Sequence, residues 1–543
     1  MCSIRHLTFR FLMHLRVGGK KKNKCHVVWM KLAHSITAMI HHIRLRRLLS
    51  LKNVIIFGIL TLVFIFFIRK FAFSNELYKH DSKSVIYKHN LISQLRKSNL
   101  NDVVHFKNSG SNGDEKILYH KDTRPPLTVP RIAKYCNPPN SQPMGDEGVV
   151  SDDYKLINVH VVIRHGDRSP ISRLPGFQRE DMSCLLDVSQ FSHIPKVANY
   201  PHVIATASEE RSKDNSFKRW SVYPSHTICA DGQLTGRGAI QQILNGIHYS
   251  ERYFHQHQLF DATNWPKKVV AYSTEVSRTY QSAVAFLYGL LPSFEIGKIN
   301  LKHASNINFC EEKIVHGACT CPGVDTARNR AGRECRMEPG YAVIMKRYSH
   351  LVDHISEVVN LKAKDLQYPS PIMDSLTGYA CHNMPPPCNA NNTCITAKTL
   401  EAIWEPIDYQ SSCLNRNENY KKFSKIAMHG LIYRIVLELN IAIENGTNPA
   451  FHLYSGHDTT VSPLISALEL EDGVWPGYAS RIVFELYKKQ STGEHVIRIL
   501  QNGRVVTKES IFCRGKTKDG FCNFENLKDF ASRDNFVSLC ESL

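Results

Sequence analysis

The chain has 543 residues, enough for one large or two modest hydrophobic cores and too many for a small domain. Its formal charge of +19 is concentrated at one end: residues 1–75 hold 14 Lys and Arg and no acid. The remaining chain, with 54 basic and 49 acidic residues, is close to neutral and holds no aromatic-interleaved basic module, which argues against a nucleic-acid binder.

In chain order, residues 1–52 form a basic tail, expected on the cytoplasmic side. Val54 to Ile68 is an uncharged apolar run flanked by Arg44, Arg46, Arg47 and Lys52 before it and Arg69 and Lys70 after it. Fifteen helical residues cover about 22 Å. Snorkelling of Lys52 and Arg69 and apolar contact by Phe71 to Phe73 extend this toward a span, so residues 53–73 are expected to be a transmembrane signal-anchor. The competing reading, a cleaved signal peptide, lacks a clean small-residue cleavage site. The larger basic excess precedes the span, which predicts a cytosolic N-terminus and a lumenal remainder, type II topology. Residues 74–130 are polar, with Ser109-Gly110-Ser111-Asn112-Gly113 and Pro125-Pro126, and read as a flexible lumenal stem.

Residues 131–543 are expected to be the catalytic domain. Leu156 to Ile163, Val269 to Tyr272 and Phe451 to Tyr454 are apolar runs that read as buried strands. Leu234–Tyr249, Ser277–Leu291, Tyr341–Val359 and Tyr420–Glu444 read as helices. Ile482–Leu486 and Val496–Leu500 flank Ser491-Thr492-Gly493, a hairpin signal. The mixture predicts an α/β fold.

Fourteen of the 16 cysteines lie between Cys136 and Cys540. In an oxidising lumen they could form up to seven disulfides of undetermined pairing. Cys319-Thr320-Cys321 and the cluster Cys381, His382, Cys388, Cys394 invite a zinc reading, but their spacing matches no recognised zinc module. Asn391 and Asn445 open glycosylation sequons that suit the same compartment.

Each predicted strand runs into a polar cluster. The first leads to Arg164-His165-Gly166-Asp167-Arg168-Ser169-Pro170, the second to Ser273-Thr274 with Arg278, Thr279 and Ser282, and the third to Ser455-Gly456-His457-Asp458. A neutral imidazole can attack phosphorus, and guanidinium forks can hold the three equatorial oxygens as charge spreads over them. Arg278 falls near the start of a predicted helix, where backbone N–H groups favour anions. Asp458 stands where a helix N-cap would. Asp167 reads as a local rather than a catalytic group.

These three segments, in this order, resemble the R-H-G-x-R-x-P, S-T-x-x-x-R-T-x-x-S and H-D signatures of the histidine acid phosphatase family. The resemblance implies a histidine-phosphatase core, a mainly parallel sheet flanked by helices, with a mostly helical cap inserted after the third strand; residues 295–425 are its candidate. It implies His165 as nucleophile, Asp458 as proton donor, and Arg164, Arg168, Arg278 and His457 as phosphate-binding groups, with no metal or cofactor. Family members that act on inositol polyphosphates typically carry H-A-E where this chain has His457-Asp458.

The anchor and stem resemble those of Golgi enzymes that modify glycans. Within the family the chain is similar to Golgi members that remove the 2-O-phosphate of xylose in the glycosaminoglycan–protein linkage. That similarity implies a phosphorylated glycan substrate, and a linkage-region galactosyltransferase or glucuronosyltransferase as partner. A broad lumenal acid phosphatase and a catalytically silent phosphoglycan-binding scaffold are the alternatives.

Overall fold

The fold is that of a computed structural model. It describes residues 123–542, apart from 142–144, 173, 176, 178–180, 211–216, 218–219, 225–226, 312–318, 320, 447–448 and 471–472. The basic tail, the expected anchor and most of the expected stem lie outside the described residues. Val129, at the end of the expected stem, is buried in a helical core.

Strand β1 (Tyr154–Arg164) is buried from Asn158 to its end. It pairs in parallel with β4 (Phe451–Gly456), which pairs in parallel with β2 (Val269–Ser273), and β2 with β3 (Leu301–His303). Burial on both faces is why these strands read as unbroken apolar runs. Alternate residues serve opposite faces. Val162, Tyr272 and Tyr454 pack on one side against helix α9 (Glu418–Asn445). Val161, Ile163, Ala271 and Leu453 pack on the other against α4 (Ser277–Leu290).

The sheet is mixed rather than mainly parallel. Beyond β1 it continues through β5 (Arg481–Lys489), β6 (His495–Gln501) and β7 (Arg504–Val505), all antiparallel, with β8 (Cys522–Asn523) also paired to β6. The chain re-enters the sheet at the edge where β1 ends, with Arg481 opposite Ile163, so β5 must run back along β1. A tight hairpin then joins β5 to β6, a connection only antiparallel strands allow.

Between β3 and β4 the described residues build four α-helices before α9: α5 (Val324–Met337), α6 (Pro339–Val359), α7 (Pro369–Cys381) and α8 (Ala397–Arg416). Helices α6, α7 and α8 share a core of their own with the short α1 (Pro130–Cys136). Disulfides staple this insertion: Cys335–Cys413 joins α5 to α8, Cys136–Cys381 joins α1 to α7, and Cys321–Cys540 ties its start to the C-terminal helix. Cys184–Cys229, Cys310–Cys319, Cys388–Cys394 and Cys513–Cys522 complete the pairing of all fourteen cysteines. The cysteines that invited a zinc reading are therefore consumed in bridges. This density of disulfides suits a secretory-pathway protein. Asn391 and Asn445 are both exposed, although Thr447 of the second sequon lies outside the described residues.

Beneath the sheet, His160 of β1 stacks on His452 of β4 with ring centroids 4.0 Å apart. Burial, with Arg434 nearby, pushes His452 down to about 3, and burial with His452 and Arg434 holds His160 well below its ordinary value. Burial also brings His429 of α9 down to about 4. Unfolded histidines titrate near about 6.5. Because the folded values are depressed, this stability is complete above that pH and is lost as pH falls from there toward the folded values. The melting temperature is expected to drop steadily between about pH 6.5 and pH 4. His452→Phe, which keeps a stacked ring but removes the proton site, should flatten that dependence. Parallel pH profiles for the two proteins would exclude the histidine pair as its source.

Candidate active site

Parallel register brings the motifs to one level. Arg164 stands opposite Gly456, and Ser273 opposite Ser455, so β1, β2 and β4 end together. Ligands collect at this carboxyl edge of parallel strands. Hydroxyl groups then lock the three segments. Ser282 Oγ accepts from the Gly166 N–H at 3.0 Å, Ser455 Oγ donates to the Thr279 carbonyl at 2.7 Å, and Thr274 Oγ1 lies 2.9 Å from His457 Nε2. Helix α3 (Gly236–Tyr249) presses on the first segment so closely that a Cβ at Gly166 would sit 2.2 Å from the Gly238 carbonyl oxygen. Glycine is required there for close approach.

His165 is 1% exposed. Its Nδ1 lies 2.8 Å from the Gly166 carbonyl, which can only accept, so Nδ1 carries the proton. Nε2 is thereby left with its lone pair. Burial first, and then Arg278 and Arg164, hold the imidazole well below its ordinary pKa, so it is neutral at physiological pH.

Three guanidinium groups come together. Arg164, fully buried, donates to the Pro476 carbonyl at 2.6 Å and pairs with Asp458 at 2.8 Å. Its guanidinium carbon lies 4.5 Å from the ring centre of Tyr478 and 5.2 Å from that of Tyr135. Arg168 pairs with Asp374 of α7 at 2.9 Å and donates to the Ser169 carbonyl at 3.0 Å. Arg278, second residue of α4, has its Nη2 3.5 Å from His457 Nδ1. Burial and the neighbouring Arg168 lower Arg278 to about 10, which leaves it charged at neutral pH. The Nε atoms of all three arginines are buried without a hydrogen-bond partner. Buried donors of this kind favour an anion.

His457 and Asp458 open helix α10 (Asp458–Ala467). The N-cap is His457, not Asp458: the His457 N–H donates to Thr460 Oγ1 at 3.2 Å. Asp458 is the first helical residue, free to turn one oxygen to Arg164 while the other accepts from the Thr459 N–H at 2.8 Å. Its side chain remains 19% exposed. Burial alone would raise its pKa, but Arg164 and then Arg168 outweigh this and hold the carboxyl below its ordinary value. Burial first, then Arg278, brings His457 down to about 4. A neutral His457 has one N–H, and the Thr274 hydroxyl can accept from Nε2 or donate to it. Nδ1 can therefore become a donor without breaking the Thr274 contact.

Asp167 is engaged by Thr235 and His382. Its Oδ2 accepts from Thr235 at 2.6 Å and lies 2.6 Å from His382 Nε2, just past the end of α7. Sequence reasoning missed this link, and it missed Asp374, Tyr135 and Tyr478. Asp374 stands 206 positions after Arg168 in a helix whose pattern reports only its own core. Tyr478 precedes Ala479, which holds φ +54° while its N–H donates to the His165 carbonyl at 3.1 Å. Left-handed backbone at a residue other than glycine often marks a functional site, but sequence does not reveal it.

The profile of the histidine phosphatase superfamily, branch 2, matches residues 155–366 and 405–502. The chain belongs to that superfamily. As a histidine phosphatase it is a phosphoric monoester hydrolase, and its curated relatives agree. It is 33% identical over 445 residues to 2-phosphoxylose phosphatase 1 of Mus musculus, covering 80% of this chain and 89% of the relative. It is 30% identical over 437 residues to the Xenopus tropicalis protein of the same name, covering 79% and 85%. Among solved structures, the apo phytase of Hafnia alvei aligns with a TM-score of 0.45 at 15% identity, covering 72% of this chain and 99% of the phytase.

Asp374 tests how the histidine phosphatase site is built. Asp374→Asn removes the charge opposite Arg168 but keeps an acceptor for the Ile171 and Ser172 N–H groups. Loosening one guanidinium should lower kcat/KM toward a phosphomonoester by about 10²-fold. An unchanged kcat/KM would mean that the Ser169 carbonyl suffices to hold Arg168.

Proposed function

We propose that this histidine phosphatase removes the 2-O-phosphate of xylose in the glycosaminoglycan–protein linkage, through a phosphohistidine formed on His165. The observation that carries the chemistry is the Nδ1–H···Gly166 bond, which leaves Nε2 unprotonated among three guanidinium groups. The names of the relatives support the choice of substrate.

Arg164, Arg168, Arg278 and His457 bind the phosphoryl oxygens. The His165 Nε2 lone pair forms a bond to phosphorus, and the bond from phosphorus to the sugar oxygen breaks with its electron pair going to oxygen. Asp458 gives that oxygen its proton. Water then attacks the phosphohistidine, the Asp458 carboxylate takes a proton from it, and the N–P electron pair returns to His165. Inorganic phosphate leaves with Asp458 protonated for the next turnover. A phosphate dianion adds negative charge beside Asp458 and competes for Arg164. Both effects raise the carboxyl's pKa, which suits it to act as an acid.

The proposal places the enzyme in the Golgi membrane, type II, anchored through residues 53–73 on a lumenal stem. It includes glycans on Asn391 and Asn445, and proximity to a galactosyltransferase or glucuronosyltransferase of linkage assembly.

A phosphoxylose linkage trisaccharide and a small aryl phosphate, compared side by side, test this reading. The wild-type enzyme should prefer the glycan. Asp458→Ala should cost about 10²–10⁴-fold on the glycan, and much less on an aryl phosphate whose leaving group needs no proton. Equal or better use of the aryl phosphate by wild type would favour a broad acid phosphatase. Glycan binding without phosphate release would favour the scaffold.

A further inference from the structure

The N-terminus of α10 serves two places. Asp458 faces Arg164, while the next face of the same helix, Thr459, Ser462 and Pro463, lines a separate cleft of about 510 Å³. Successive helical residues point about 100° apart, so Asp458 and Thr459 present adjoining faces of one helix turn, Thr459 on the cleft wall. The opposite wall is a single face of α5: Asp325, Arg328, Asn329, Gly332 and Arg336. Gln410 of α8, Tyr420 and Phe423 of α9, and Trp475 complete the lining.

Its chemistry is specific. Trp475, Tyr420 and Phe423 supply flat apolar surfaces, Asn329 and Gln410 supply amides that both donate and accept, and two guanidinium groups face a single carboxylate. The Arg328 guanidinium carbon sits 5.4 Å from the ring centre of Phe423. Gly332 occupies the interior of α5, where glycine costs about 1 kcal/mol relative to alanine. A Cβ there would meet Arg336 Nη1 at 3.4 Å. The missing side chain leaves room for the Arg336 guanidinium to lie against this part of the wall. Volume and lining suit a ligand of several rings with a few oriented polar groups.

Resting on the phosphatase reading above, we infer that this cleft binds the leaving-group side of the substrate: the oligosaccharide that continues from the phosphorylated sugar, with Arg328 and Arg336 receiving the carboxylate of an acidic sugar. In-line attack puts the leaving oxygen on the side of phosphorus away from His165, where Asp458 would protonate it, and Thr459, the next residue and hydrogen-bonded to Asp458 through its N–H, lines the cleft. Aromatic planes and amides match the CH faces and hydroxyls of sugar rings. The arginines match a uronate bidentately.

Binding of the unphosphorylated linkage glycan tests the cleft independently of turnover. By titration calorimetry on the full chain in detergent, a linkage tetrasaccharide ending in a uronic acid should bind wild type. Gly332→Leu, which fills the wall with a better helix former, should weaken that binding about tenfold or more. For the phosphorylated glycan, Gly332→Leu should lower kcat/KM at least about tenfold further than it does for the aryl phosphate. Arg328→Gln with Arg336→Gln should abolish the preference for the uronate-ended tetrasaccharide over the neutral trisaccharide. No glycan binding by wild type, or equal losses on both substrates in Gly332→Leu, would overturn the cleft assignment. The proposed reaction would still stand if wild type released phosphate from the glycan. If the cleft binds glycan but no phosphate is released, the cleft assignment survives and the reaction fails.

Discussion

Three like charges must be kept fixed in a place nearly closed to water, and the rest of the site follows from how that is done. Arg164 is held by a carboxylate, a carbonyl and the faces of two tyrosines. Arg168 is held by Asp374, and Arg278 lies beside a neutral His457. Mutual repulsion among them is strong at low effective dielectric, so each needs its own partner. The same charges suppress protonation of His165 and make the pocket attractive to a phosphoryl group. In the proposed reaction one electrostatic arrangement thus favours both nucleophile and substrate. In the proposed reaction the Arg164–Asp458 pair links this to proton transfer, because an anion that engages the arginine would free the carboxyl to act as the acid.

The helical insertion does part of this work. Asp374 and His382, both at α7, reach the segment after β1 through Arg168 and Asp167. Cys136–Cys381 fastens the end of α7 to α1, the helix that carries Tyr135 beneath Arg164. The insertion therefore supports the arginine cluster directly. In the proposed cleft, helix α5 would extend that contribution to the leaving-group side.

Legibility in the sequence followed locality. Strands β1, β2 and β4 were readable because burial on both faces leaves continuous apolar runs. Their motifs were readable because Arg164, His165 and Arg168, or His457 and Asp458, are neighbours in the chain. The antiparallel half of the sheet was visible only as the β5–β6 hairpin; its effect on the whole sheet depends on where the chain re-enters at Tyr478–Arg481. The supports of the arginines could not be read, because Asp374, Tyr135 and Tyr478 approach through long-range folding. Asp374 and His382 also lie in the stretch 367–404 that the family profile leaves unmatched. Asp458 kept its place at the helix start but not its expected capping role, since the cap is decided by whether His457 or Asp458 leaves helical backbone geometry.

The proposed reaction turns on attack at phosphorus by His165 Nε2. Rapid acid-free quench of the Asp458→Asn enzyme with an activated aryl phosphate, followed by peptide mass spectrometry and phosphorus NMR, examines it directly. One acid-labile, base-stable phosphoryl group is expected on the Nε2 atom of His165, absent from His165→Ala. A phosphoryl group on Nδ1 or on another residue, or turnover by His165→Ala at the wild-type rate, would contradict it.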